Sequence, residues 1–488
     1  MMNIISKKTL LSVLISALSI NAYADDTSST LNKTVLNITG NQSSLTQVLE
    51  SHYGSLVASD AENENDTSSI DEQVTNADIV YADLAGVADN DEVNAYIAQA
   101  KKLNKLIVLE NMDAQTVAEQ PLSFDADVVI INPQTNGSDE ISTFRTENVD
   151  VESSSDSASS EDSDSATVSN YVALASAAST ASTSTQETDK TEMFSNVTET
   201  LDDYLTPSYS LYSTSTSTTG GEVGYECPSE SSDEQLCYAA IVTNNVYSYD
   251  DDSLVFNVIH GYSYAAYRTD SGTTMFVSPY GSANPTMKYN SSGSKRGYYL
   301  KYVKPEIDVS QDTNAGMTLF KRTPENANGS SSISTTSGVS YKVDASVSDK
   351  ASLGGSLTYS ESQSQSTDLS DWKAVTTTDG YDANWSYELS KYTSLSDWVS
   401  QKTFETAKFA SVPDISRYGL QYSAEGVWYG NLNDVSGDFT FKVTEVVGLE
   451  YIKFTDNTIF GWSAKSTEKY VTLTSGSTSF NTDWLKSL

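Results

Sequence analysis

The sequence predicts a multidomain chain in which a small α/β domain precedes a larger all-β sandwich. Three observations carry this expectation. Residues 33–133 alternate short apolar runs with stretches of helical spacing. From 221 onward, short runs rich in Tyr, Val, Thr, Phe and Trp are punctuated by Gly, Asn, Asp and Ser as far as Leu488. Between the two lies a stretch dominated by Ser, Thr, Asp, Glu and Ala. At 488 residues the chain exceeds what one hydrophobic core usually supports, so more than one domain is expected.

The first segment, 1–24, holds Lys7 and Lys8, a Leu/Ile/Val run over 9–20, and Ala22-Tyr23-Ala24. A basic start, a short apolar core and a small-x-small site make a secretory signal peptide. The run is too short for the roughly 20 apolar residues of a membrane-spanning helix. In the α/β domain, 25–133, the runs 34–38, 78–84, 105–109 and 127–131 read as buried strands, and 43–53 and 89–103 as helices, with Asp89 or Asn90 as N-cap. Strands alternating with helices predict a parallel sheet. No Gly-rich phosphate loop is present, which points to a pro-domain or a partner-binding module rather than a nucleotide site. Residues 134–220 cannot bury enough apolar surface to offset chain entropy and read as an acidic linker. One patch in it, 191–205, has helical spacing through Met193, Val197 and Leu201.

The composition sets limits on function. With 66 acidic against 28 basic residues the formal charge is −38, which repels phosphate backbones and argues against nucleic acid as a partner. Cys227 and Cys237 are the two cysteines and enclose a short polar loop without a His at metal-ligand spacing. In an exported chain they are most simply a disulfide, whereas flanking acids disfavour a reactive thiolate. His52 and His260 stand in different domains, with no Ser, Cys or metal constellation around either, and read as ordinary polar or packing residues. No pair of carboxylates stands out among so many. No enzymatic activity, cofactor or metal is expected.

The most informative segment follows a Gly/Ser/Asn-rich spacer. Val339, Tyr341, Val343, Ala345 and Val347 are apolar, while Ser340, Lys342, Asp344, Ser346 and Ser348 between them are polar or charged. After a turn through 348–352, Leu353, Gly355, Leu357 and Tyr359 again share one parity against Gly354, Ser356, Thr358 and Ser360. Pairing Val347 with Leu353 aligns Val343 with Leu357 and Tyr341 with Tyr359, so one face of the hairpin is apolar. The nine residues 339–347 of the first arm meet the 9 to 11 residues of a tilted transmembrane strand. In a barrel the apolar parity faces lipid, and Lys342, Asp344, Ser346, Ser356 and Thr358 face the lumen. A hairpin of a soluble sandwich also alternates; the flanks 326–337 and 360–367, both poor in apolar residues, favour a hairpin able to detach. One hairpin cannot cross lipid alone, because open strand edges in hydrocarbon cost several kcal/mol per unsatisfied group. Closure by four or more copies is therefore required if a barrel has about eight strands.

These residues resemble a family. Gly338-Val-Ser-Tyr-Lys-Val-Asp-Ala-Ser-Val, then Gly355-Ser-Leu-Thr-Tyr-Ser-Glu-Ser and Ser370-Asp371-Trp372, are similar to the stem region of the leukocidin/hemolysin pore formers, with the texture of Vibrio-type cytolysins. Ile415-Ser-Arg-Tyr-Gly-Leu-Gln-Tyr and the ending Phe480-Asn-Thr-Asp-Trp are similar to strands that follow the family's rim and close its sandwich, and the Cys227/Cys237 pair has a counterpart in some members. The resemblance covers roughly 225–488; the lectin modules appended to some Vibrio-type cytolysins are not expected, and the N-terminal α/β domain matches no pro-region of the family. It implies a leukocidin-like β-sandwich over 221–488, a prestem hairpin (about 333–372) that becomes a transmembrane β-barrel on oligomerisation, and a lipid-contacting rim (about 393–429). It also implies a ring of seven or eight copies on target-cell membrane lipids, with or without a receptor. By position and composition the rim candidates are Trp398, Phe404, Phe409, Arg417, Tyr418 and Tyr422, since aromatics favour the interface and cations meet lipid phosphates; Trp428 is expected in the core. A secreted adhesin or carbohydrate-binding sandwich is the alternative reading. Proteolysis within 134–220 is the expected activating event.

Overall fold

The computed structural model describes residues 32–59, 67–85, 87, 91–112, 121–134, 138–146, 149–153, 183–205, 224–226, 236–244, 247–251, 254–268, 272–287, 294–323, 358–360, 372–377, 380–392, 394–402, 407–410, 416, 420–457 and 461–487. The predicted signal peptide lies outside them.

The N-terminal unit runs β1 (Val35–Asn37), α1 (Ser44–Tyr53), β2 (Leu56–Ala58), α2 (Thr67–Asn76), β3 (Ile79–Asp83), α3 (Asp91–Lys102), β4 (Leu106–Glu110), β5 (Leu122–Phe124), β6 (Val128–Pro133), β7 (Ser138–Phe144), β8 (Val149–Ser153) and α4 (Thr183–Leu205). Sequence dictates the limits of α1. Ser43 and Thr46 form a reciprocal capping box, with Thr46 N–H donating to Ser43 Oγ at 3.1 Å, and Gly54 closes the helix at φ 77°. The strands alternate sides with period two. Val35, Ile79, Tyr81, Leu106, Val108, Val128 and Ile130 face α1 and α4. Leu36, Val80, Ala82, Ile107, Leu109, Val129 and Ile131 face α2 and α3. The result is a three-layer α/β/α unit.

Two expectations are corrected here. The sheet is not wholly parallel: β1 pairs in parallel with β2 and β3, and β3 with β4, but β6 runs antiparallel to β4. A parallel return needs a crossover of a dozen or more residues, usually helical, and the described part of the β4–β6 connection contains β5 and no helix. Nor is 134–220 a linker throughout. β7 lies inside the sheet between β6 and its next neighbour, β8 is paired, and α4 packs on the sheet through Met193, Phe194, Val197 and Leu201. The helical spacing through Met193, Val197 and Leu201 thus marks a docked helix, fixed by hydrogen bonds from Tyr53 Oη (3.0 Å) and between His52 Nε2 and Asp202 (2.8 Å).

The C-terminal unit continues with β9 (Gly224–Glu226), β10 (Leu236–Asn244), β11 (Tyr247–Asp251), β12 (Leu254–Arg268), β13 (Gly272–Met287), β14 (Ser294–Asn314), β15 (Thr318–Thr323), β16 (Thr358–Ser360), β17 (Trp372–Thr377), β18 (Ala383–Leu389), α5 (Leu395–Trp398), β19 (Val399–Lys402), β20 (Ala407–Phe409), β21 (Leu420–Ser423), β22 (Glu425–Asn431), β23 (Asp438–Asn457), β24 (Gly461–Asn481) and α6 (Thr482–Ser487). Its strands form two facing layers. The first has the order β15-β22-β13-β12-β10 and continues without a break into β7-β6-β4-β3-β1-β2; the second has the order β17-β18-β14-β23-β24-β5, with β8 also on β24. Long strands build the second layer: β14, β23 and β24 have 21, 20 and 21 residues, about 65–70 Å at 3.3 Å per residue.

Between the layers, alternating side chains interdigitate. Tyr264 stacks on Phe441 and meets Phe480, Tyr238 meets Phe480, and Trp428 meets Phe439 while its indole N–H donates to Tyr381 O at 2.9 Å. Trp428 therefore sits in the core as expected. These contacts set β10 above β24 on one lateral side and β22 above the start of β18 on the other. The N-terminal unit covers the first side in both layers: β7 pairs with β10, while β5 and β8 pair with β24. Gly476 of β24 lies at that junction at φ 74°, where a Cβ would meet Asp125 O and Arg145 Nη1 at 2.5 Å. Gly476→Ala is expected to cost about 1–3 kcal/mol, read as a lower urea midpoint.

Candidate membrane-inserting segment and rim

The predicted stem leaves one layer and returns to the other. β15, the last described strand of the first layer, ends at Thr323, and β17, the last of the second, begins at Trp372. Both edges lie on the lateral side away from the N-terminal unit. Of the predicted stem residues, Val339, Tyr341, Lys342, Val343, Asp344, Ala345, Ser346, Val347, Leu353, Ser356 and Leu357 lie outside the described residues. Thr358 and Tyr359 fall in β16, which pairs antiparallel with β9 through Thr358↔Glu226, Tyr359↔Tyr225 and Ser360↔Gly224. β9 itself lies against β10 and β12. The end of the second predicted stem arm is thus held by a ladder of three residue pairs, a small attachment beside the fifteen pairs joining β12 to β13.

β9 directly precedes Cys227. That residue and the side chain of Cys237, the predicted disulfide partners, lie outside the described set; the Cys237 backbone sits in β10 opposite Tyr267.

The rim candidates divide. Phe404, Arg417 and Tyr418 lie outside the described residues. Trp398 and Tyr422 are corrections: they are 1% and 4% exposed and so do not present a surface to lipid in this structure. Trp398 ends α5 and stacks on Tyr299 at 5.3 Å between ring centres, with Tyr392 tilted against it at 5.2 Å. Phe409 is half-buried against Tyr299 and Phe454. Together they pin α5, β19 and β20 to the second layer. Tyr422 points between the layers toward Tyr387, 5.8 Å between ring centres. Aromatic composition alone could not tell these anchors from interfacial residues, because both roles need a large apolar ring.

A buried polar pair sits in the same interlayer space. His260 Nδ1 of β12 lies 3.0 Å from Glu445 Oε2 of β23, and both side chains are fully buried. Burial raises the Glu445 carboxyl above the usual range, opposed by the hydrogen bond and charge of His260 and by the neighbouring Tyr422 hydroxyl. Burial and the nearby Glu445 carboxylate push the Tyr422 phenol upward. An ordinary polar or packing role is the expectation for His260; the pairing with Glu445, 185 positions away, has no local signal in the sequence.

Among the described residues, no group of three or more His, Cys, Asp or Glu is placed to hold a metal ion, and no helix is long and apolar enough to cross a membrane. No family model matches the chain, and no curated protein matches it. Among solved structures the chain is similar to a pore forming protein, with 11% identity over 55% of this chain and 97% of that one, at a TM-score of 0.33. It is similar to Clostridium perfringens delta-toxin, with 12% identity over 53% and 94% at 0.32, and to the Clostridium perfringens NetB toxin in its membrane inserted form, with 10% identity over 49% and 94% at 0.29.

Proposed function

We propose that this chain is a secreted pore-forming cytolysin that binds target-cell membranes, oligomerises and inserts a β-barrel built from the 333–372 hairpin of each copy, without enzymatic chemistry. The observation that carries the reading is one of placement. In the chain, the segment with uninterrupted period-two alternation connects β15 to β17, the edge strands of the two facing layers among the described residues on the side away from the N-terminal unit. A hairpin rooted there can swing outward without breaking any strand pair of either layer, since the described ladders that must open are the three pairs to β9. Its apolar parity supplies the lipid face and its small polar parity the water-filled face. Open edges of a single hairpin are not tolerated in hydrocarbon, so membrane insertion and assembly of several copies are coupled.

The test is dye release from phosphatidylcholine vesicles and from host-cell membranes by the full chain, before and after limited digestion within 154–182 or 206–223. Release is expected from the digested chain once its N-terminal fragment dissociates. A Gly224→Cys/Ser360→Cys pair, placed on the β9–β16 ladder, should abolish it when oxidised, and reductant should restore it, with the unmodified chain under the same reductant as control. Release unaffected by the oxidised lock would show that the hairpin stays where it is. No release from any membrane would count against pore formation itself.

A further inference from the structure

The N-terminal unit is bound to the sandwich by strand pairing rather than by a loop of chain. β7 lies parallel to β10 over Ala239↔Ser138 to Asn244↔Thr143, and β5 and β8 pair with β24 at Thr478–Phe480 and Lys469–Leu473. Polar side chains reinforce the junction: buried Asp139 of β7 accepts from Tyr238 of β10 at 3.2 Å and from Lys101 of α3 at 3.0 Å. Each such hydrogen bond contributes net stability. A cut in the connecting chain therefore leaves the unit in place, and removing it would bare two strand edges side by side. Such edges template pairing with another chain.

The opposite lateral side carries a matching element. β15 runs in the same direction as β10, because β22, β13 and β12 between them alternate antiparallel. A neighbour related by rotation about an axis near the strand direction would bring its β15 beside β10 with the polarity β7 has. β15 also exposes Phe320, at 52%, next to a bulge between Leu319 and Lys321. Charge favours the exchange as well. Residues 1–220 hold 34 of the acidic and 8 of the basic residues, so most of the net negative charge leaves with that part, lowering repulsion between copies.

We propose that the β10 edge is a strand-accepting site for which β7 and the β15 edge of a second copy compete, so that the N-terminal unit is an exchangeable cap on head-to-tail self-association. Contacts of this heterologous kind close into rings when the rotation allows. The inference deepens the pore-forming reading, resting on it for the need of a ring.

The experiment uses the full chain with a protease site built into 206–223, so that α4 stays with the N-terminal part. The cut chain is titrated with urea, following an affinity tag on the N-terminal fragment and sedimentation of the remainder. The fragments should stay together at first; release of the N-terminal fragment and self-association of the remainder should then share one midpoint, below global unfolding. An Asp150→Cys/Thr472→Cys pair, oxidised across the β8–β24 ladder, should block both until reduced. Phe320→Asp should leave the release midpoint unchanged and weaken association by about tenfold or more. A released remainder that stays monomeric, association with the fragment still bound, or release only at global unfolding would overturn the proposal. Vesicle leakage is scored separately: association without leakage retains the capped edge and rejects the pore, while leakage indifferent to the oxidised lock does the reverse.

Discussion

Val343→Arg should reduce vesicle leakage by about a hundredfold, while Ser356→Lys, on the other parity of the same hairpin, should leave leakage nearly intact and shift ion selectivity toward anions. An arginine on the lipid face near the bilayer midplane costs about 2–4 kcal/mol. In the proposed ring every copy carries the same substitution, so the penalty recurs in each subunit and insertion is suppressed even if a single copy could tolerate it. In the proposed lumen water solvates a lysine, which adds positive charge beside Lys342 and opposes Asp344. The urea midpoint of the soluble chain serves as the control for folding. Equal leakage by Val343→Arg and the unmodified chain would reject the parity assignment, and loss in both variants would mean that both faces pack on protein.

The reach of sequence reading depended on how each residue is satisfied. Strands 34–38, 78–84 and 105–109 were legible because β1, β3 and β4 are covered on both faces and so are written as apolar runs. β7 was not: Ser-Asp-Glu-Ile-Ser-Thr-Phe looks like solvent-exposed chain, yet Ser142, Thr143 and Asp139 are buried there. Asp139 is tolerated because Lys101 and Tyr238 meet it, partners distant in sequence. That one strand decides whether the chain has two separate domains or a shared sheet. α2 was missed because Thr67–Asn76 carries just two apolar residues, Ile70 and Val74. In the rim, Trp398 was legible as important but not as buried, since the short helix α5 aims it at Tyr299. The period-two alternation of 339–360 is a local property of the sequence, and most of that segment lies outside the described residues.

Removing one member of the interlayer pair should be the most damaging change in the sandwich. Glu445→Ala leaves His260 fully buried without its partner, and breaking a buried pair on one side costs about 3–5 kcal/mol. Replacing both, as His260→Phe with Glu445→Leu, exchanges two desolvated polar groups for apolar ones of similar volume. The double variant is expected to recover most of the loss, and double-mutant coupling of the urea midpoints measures how much. The pH dependence follows from the direction of the carboxyl shift. Glu445 titrates above its usual 4.5 in the folded chain, chiefly through burial. The folded state thus holds its proton to higher pH than the unfolded state does. The contribution of this group to stability is greatest in acid and declines as pH rises from about 4.5 through the raised folded value. Glu445→Gln, which keeps the shape and cannot ionise, should flatten that part of the profile. A Glu445→Gln profile that keeps the full decline would place the responsible group elsewhere, and a double variant no more stable than Glu445→Ala would show that packing, not the unpaired histidine, sets the cost.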